Sequence, residues 1–156
     1  MLEDLLERLL SGGGGPGGSH VGLGMLLASA HHRSREAVNE GLRPLGIEVR
    51  SLTVLLALDL YGPSSQRALI DHVGIDKSAM VRLVDELERG GLARRERAPR
   101  DRRAYSVVLT PEGRRTLAAA RRVADDTGER LFGRLSAADR DHLVRLLTRL
   151  IENAAP

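Results

Sequence analysis

Apolar residues return at steps of three and four along most of the chain, and the breaks in that rhythm divide it into elements. In MLEDLLERLL, Leu2, Leu5, Leu6, Leu9 and Leu10 share one helical face, with Glu3, Asp4, Glu7 and Arg8 outside, which predicts an amphipathic helix over 1–11. The stretch SGGGGPGGS carries no period, so 12–19 is expected to be a flexible linker with a reach of roughly 15–20 Å. So short a helix is marginal alone. It is either an ordinary extension or a segment that packs on a second copy of the chain.

From Val21 to Leu42 the positions Leu23, Leu27, Ala30, Ser34, Val38 and Leu42 form one seam of a long helix, stopped by Pro44 and Gly46. A second helix, LTVLLALDLYG, is apolar on nearly every side; it is expected to be buried throughout and to take Ser51 as its cap. Gly62 and Pro63 end it. Ser64 or Ser65 then caps a third helix, QRALIDHV, which closes at Gly74.

Only Gly74-Ile75-Asp76 separates this short helix from the next, which starts at Lys77, and two short helices about a tight Gly-containing turn are a helix-turn-helix. With Asp76 as cap, a projection at 100° per residue puts Met80, Leu83, Val84 and Leu87 on one side. Ser78, Arg82, Asp85 and Arg89 fall on the other. The first half of that polar face is cationic or neutral and the second half carries Asp85, Glu86 and Glu88, a gradient that suits a recognition helix reading DNA with its amino-terminal residues.

Beyond Gly90-Gly91, Leu92 to Arg97 reads as a strand and Ala98 to Arg103 as an arginine-rich loop. In AYSVVLT, Tyr105, Val107 and Leu109 alternate with Ala104, Ser106 and Val108, as a strand with one buried face requires. The hairpin is a wing. Thr110 as cap and Pro111 at the first helical position open a long helix with Leu117, Ala120, Ala124, Thr127 and Leu131 on one seam. A last helix starts at Ser136, with Asp139 in capping-box spacing, and runs through Leu143, Leu147 and Leu150. The expected fold is mainly α with a small β-hairpin wing (α+β): a winged helix-turn-helix lobe over 49–110, and a helical dimerisation region from 20–48 and 111–156. The terminal seams are too narrow to be covered within one lobe, and two-fold pairing would cover them.

The 156 residues, 42% hydrophobic, suffice for one domain with a core or a small domain plus a dimerisation element. There is no cysteine, which excludes disulfides, thiolate nucleophiles and Cys-based zinc sites. No apolar run reaches the roughly 18–20 residues of a membrane span and the amino terminus is acidic, so the expected location is the cytoplasm, with no membrane partner. The net charge is only +3, and Lys77 is the one lysine. Biased codon usage would raise arginine everywhere. Clustering is what discriminates: Arg94, Arg95, Arg97, Arg100, Arg102 and Arg103 face only Glu96 and Asp101 within ten residues, a density that suits a polyanion.

The segment IDKSAMVRLVDELERGGLARRERAPRDRRAYSVVLTPEG, from Ile75 to Gly113, resembles the DNA-binding core of the MarR family, and the flanking helices fit in order and length. Its most specific piece is DRR, followed seven residues after its first member by LT and then PEG. The resemblance implies a cytoplasmic transcriptional regulator, most often a repressor, whose terminal helices interlock in a homodimer over a pseudo-palindromic double-stranded operator. It also implies release by a small-molecule effector, of unknown identity and unknown site. On this reading Lys77, Ser78, Ala79 and Arg82 belong to the recognition helix, where Arg82 could bond a guanine edge bidentately. Arg95, Arg97, Arg100, Asp101, Arg102 and Arg103 belong to the wing. The resemblance implies that Asp101 braces it while Arg102 or Arg103 enters the minor groove, where an arginine reads shape and potential. Gln66, Arg67 and Arg94 are candidate phosphate contacts, as Lys77 and Ser78 also are.

A competing reading is a metal- or ligand-binding helical sensor or adaptor with a vestigial lobe. It rests on His20, His31, His32, His72 and His142, but His31 and His32 diverge by about 100° on their helix and no His-x-x-x-His pair exists. No metal or cofactor is expected. Enzymatic activity has no motif support either: the glycine run at 12–18 precedes no Lys-Ser/Thr and follows no strand.

Overall fold

The computed structural model describes residues 19–98 and 101–154, with the side chains of 98 and 101–104 left out of that description. The expected helix over 1–11, nearly all of the linker and Arg100 lie outside the described residues. Ser19 closes the glycine run as a helix cap, its Oγ accepting from the Gly22 N–H at 3.0 Å, and opens α1 (His20–Leu42). A 3-10 turn, Arg43–Leu45, ends at Gly46, whose φ of 68° a side chain would disfavour.

Helix α2 (Val49–Tyr61) starts three residues earlier than expected. Ser51 is not its cap. Instead Asn39 of α1 accepts from the Val49 N–H through Oδ1 at 2.8 Å, and Ser51 lies buried inside the first turn. The tertiary contact supplies what no local side chain does. The expectation of burial throughout also fails at the far end, where Asp59, Leu60 and Tyr61 are exposed on the last turn.

Ser65, of the two candidate serines, caps α3 (Gln66–Val73), accepting from the Ala68 N–H at 3.1 Å. Asp76 caps α4 (Lys77–Arg89) through the Ala79 N–H at 2.9 Å. Strands β1 (Ala93–Ala98) and β2 (Asp101–Leu109) then pair antiparallel, Ala93 opposite Leu109 and Arg97 opposite Tyr105, with an irregularity between Arg97 and Ala98. The ladder reaches further than expected, so the loop is shorter than 98–103. Val107 and Leu109 face inward as the alternation requires, but Tyr105 is 54% exposed, because the hairpin has already passed beyond the body of the lobe there.

Ser64 adds a short third strand: its N–H donates to the Val107 carbonyl at 3.1 Å, and the Val107 N–H to the Ser64 carbonyl at 2.8 Å. This anchors the wing to the helix-turn-helix.

Thr110 caps α5 (Pro111–Phe132), accepting from the Gly113 N–H at 2.9 Å, and its own hydroxyl donates to the Gly91 carbonyl at 2.6 Å. A Cβ on Gly113 would lie 1.9 Å from the Leu92 carbonyl oxygen. The TPEG sequence therefore welds the end of the wing to its beginning, with glycine required by close approach. Helix α6 (Ala137–Ala154) follows, with Ser136 accepting from the Asp139 N–H at 3.1 Å.

The core gathers around α2: Leu42, Val54, Leu55, Leu69, Met80, Val84, Val107 and Ala120 are all at most 1% exposed. Each large apolar side chain so buried contributes roughly 1.5–3 kcal/mol, which fixes the lobe against α1 and α5. At the ends of those helices burial stops. Leu23 and Leu27 of α1 and Leu131 of α5 are exposed despite lying on the predicted seams, and none of the described residues of α6 is buried.

Candidate DNA-binding surface

Helix α4 displays its two faces as the projection requires. Met80, Leu83, Val84 and Leu87 pack into the core, while Lys77, Ser78 and Arg82 stand exposed. Ala79 is a correction. It is only 5% exposed, so its side chain offers little surface to a base edge. The exposed neighbour on that face is Val81, three residues after Ser78 and beside Arg82. Helical spacing carried the signal for Val81, and its apolar character obscured it.

The wing arginines separate by partner. Arg95 points back along the lobe to α4: Nη2 donates to Asp85 Oδ1 at 2.5 Å, Nη1 to Glu88 Oε2, and the Arg95 N–H to Glu88 Oε1 at 2.7 Å. The Asp85 hydrogen bond, helped by the negative charge of Glu88 against some desolvation, holds this guanidinium above the ordinary arginine value. A guanidinium satisfied by two carboxylates has little left for phosphate, so Arg95 is a strut between wing and recognition helix rather than a groove contact. Asp85 and Glu88, which read in sequence as an acidic tail to the helix, are the acceptors of that strut.

Arg94 is paired with Glu96 on the same strand, its Nε 2.6 Å from Oε1, in a solvent-exposed setting that leaves the pair weak. Arg97 and Arg67 are exposed. Gln66, at the start of α3, has its Nε2 buried without a hydrogen-bond partner among the described residues, beside a small cavity of about 280 Å³ lined also by Arg95, Tyr105 and Val107. It faces the base of the wing. Of Asp101, Arg102 and Arg103 the backbone alone is described, in β2. Among the described residues no group of three or more His, Cys, Asp or Glu is placed to hold a metal ion, and no helix is long and apolar enough to cross a membrane.

A capped helix with an outward arginine, held by a strut to a hairpin rich in arginine, defines a winged helix-turn-helix DNA-binding protein. Residues 45–104 match the model of the MarR family. Over 149 residues, 95% of this chain and 86% of the other, the sequence is 32% identical to a protein assigned to transcriptional regulation of the hcr operon in Thauera aromatica. The fold is similar to that of a mutant MarR from E. coli solved with operator DNA, at a TM-score of 0.77 and 26% identity, over 82% of this chain and 92% of that one. It is also similar to CouR from Rhodococcus jostii RHA1 bound to p-coumaroyl-CoA, at a TM-score of 0.73 and 33% identity, over 82% of this chain and 90% of that one. The chain belongs to the MarR family of DNA-binding transcriptional regulators.

Proposed function

We propose that the protein is a homodimeric, sequence-specific repressor that binds a pseudo-palindromic operator in the cytoplasm and releases it when a small molecule binds. The observation that carries this reading is Arg82, exposed on the first half of α4 directly across that helix from the buried Met80 and Val84. A side chain so placed reaches a major-groove edge while the lobe stays packed. Lys77, Ser78 and Val81 border it, Val81 offering an apolar contact of the kind a thymine methyl accepts. Arg97, Arg100 and one of Arg102 and Arg103 serve the wing, braced by Asp101, and Arg67 and Arg94 meet phosphates. Residues 49–110 act as the DNA-binding lobe, and 20–48 with 111–156 as the dimerisation region.

Dimerisation is supported by the apolar side chains left uncovered: Val21, Leu23 and Leu27 on α1, and Leu143, Leu147, Leu150 and Ile151 on α6. Exposed patches of this kind mark interfaces. An isologous pairing would bury them and place two α4 helices for successive major grooves, roughly 34–36 Å apart. The p-coumaroyl-CoA held by CouR supports a small-molecule effector for this chain too.

Genome-wide selection of DNA bound by the purified protein tests the reading. The expected result is one motif with two-fold symmetric half-sites about one helical turn apart. Recovery of unrelated sequences with no common motif would overturn it.

A further inference from the structure

The amino-terminal half of α1 carries an apolar face left uncovered among the described residues. Leu23, Leu26 and Leu27 are 48%, 38% and 43% exposed, and at 100° per residue they fall with the exposed Ala30 inside a sector of about 100°. The opposite side of the same turns is occupied, with Gly22 buried and Met25 and Ser29 half-buried. This stretch is also one-sided in charge. From Ser19 to Arg35 there is no acidic residue, against His20, His31, His32, Arg33 and Arg35, and the opening turn of the helix adds its own partial positive charge. A matching surface is therefore apolar along one strip and acidic beside it.

The chain carries such a surface in its first residues. Over 1–11 the expected helix sets Leu2, Leu5, Leu6, Leu9 and Leu10 on one side, while Glu3, Asp4 and Glu7 outnumber Arg8 on the other. An acidic polar face disfavours a lipid surface, whose amphipathic helices carry Lys and Arg there. Reach excludes the chain's own reading helix. Helix α1 runs 23 residues, about 35 Å, before Arg43, which shares a cleft with Arg82 of α4. A linker with a reach of roughly 15–20 Å does not carry 1–11 that far, but it does carry it onto the first turns of an α1 helix.

Folding back on its own α1 is the poorer fit. The linker over 12–19 exceeds the about two to five residues that an αα-hairpin uses. A folded-back segment would also compete with the second copy for Leu23 and Leu27, which two-fold pairing covers. Crossing to the second copy makes the segment part of that pairing instead. We infer that residues 1–11 are an exchanged arm: in the dimer, the arm of each copy lies on Leu23, Leu26 and Leu27 of the other. The inference rests on the homodimer proposed above and deepens it, by making dimer stability depend on a segment outside the dimerisation helices.

The sequence has no cysteine, so introduced single cysteines report on the contact directly. Full-length Leu2→Cys, Leu6→Cys and Leu9→Cys chains are each mixed with a Leu27→Cys chain carrying a longer tag, equilibrated and oxidised. At least one mixture should give a disulfide-linked heterodimer, since side chains in contact bring Cβ atoms within the roughly 3.5–4.5 Å that the bond needs. The same arm variants mixed with Leu60→Cys, exposed on the lobe, set the background. Leu5→Glu/Leu9→Glu should raise the dimer dissociation constant by about tenfold or more in sedimentation equilibrium. No heterodimer above background from any of the three mixtures, or an unchanged dissociation constant, would overturn the inference. Wild-type dimerisation is measured alongside. A wild type that stays monomeric at every concentration removes the homodimer reading itself, whereas a dimeric wild type indifferent to the arm substitutions removes this inference alone.

Discussion

Arg95 on β1 and Asp85 on α4 lie 2.5 Å apart, Nη2 to Oδ1, and this pair fixes the wing at a set angle to the recognition helix. Glu88, one turn along α4, holds the same guanidinium and the Arg95 N–H as well. The hairpin and α4 are thereby one rigid unit. Rigidity at such a site reduces the ordering cost of binding.

Replacing Arg95 by methionine should therefore lower stability by about 1–3 kcal/mol, because two carboxylates lose their common donor at a side chain only 28% exposed. Operator affinity should fall with it, by about tenfold or more, although Arg95 itself touches no DNA in this account. The sign of the pH dependence follows from the raised value of Arg95. Its contribution is complete below the ordinary arginine value and is lost only as pH rises through the higher folded one. Urea denaturation from about pH 6 to pH 9 should thus show a constant gap between variant and wild type.

On the proposed reading, Arg82 of α4 and an arginine of the wing, Arg102 or Arg103, are expected to divide specificity from affinity. Arg82→Ala should cost about 1–3 kcal/mol at particular base pairs of the operator and little on random DNA. Arg103→Ala should weaken operator and random DNA alike and reduce the slope of log K against log salt by about one. Anisotropy titrations on both DNAs at several salt concentrations make the comparison. Equal losses from both substitutions on both DNAs would remove the division.

Gly113→Ala should be among the most damaging small substitutions in the chain. Its Cβ would meet the Leu92 carbonyl oxygen at 1.9 Å, backbone against backbone, so the start of α5 must shift away from the wing. A loss of about 2–4 kcal/mol is expected by thermal or urea unfolding. Thr110→Ala, which removes the cap and the bond to Gly91, should cost about 1 kcal/mol.

Leu147→Arg on α6 should leave the lobe folded, because no described residue of that helix belongs to the core. It should convert a dimer to a monomer in sedimentation equilibrium, and operator affinity should drop by about a hundredfold or more as the second half-site contact is lost.

Much of this architecture was legible in the sequence because local rules agree with the fold. Asp76, Ser65, Thr110 and Ser136 cap as their spacing indicates, and the packed face of α4 follows from a simple projection. What escaped was set at a distance. The cap of α2 is Asn39, ten residues upstream, and the third wing strand is a single residue, Ser64, whose partner is Val107. Neither leaves a local pattern. Arg95 was indistinguishable from its neighbours as a candidate DNA contact, since only the folded hairpin brings it onto Asp85 and Glu88. Ala79 misled for the opposite reason: it lies in the first half of α4, next to the exposed Ser78, yet it is only 5% exposed.

The central claim is sequence-specific DNA binding by a dimer through α4. Its most direct test is the ratio of affinities for the selected operator and for a shuffled duplex of the same length, measured at one salt concentration with the bound stoichiometry. A ratio of about a thousand or more, with two chains per operator, is the predicted result. Equal affinity for the two duplexes, or binding of a single chain with no loss of preference, would contradict it.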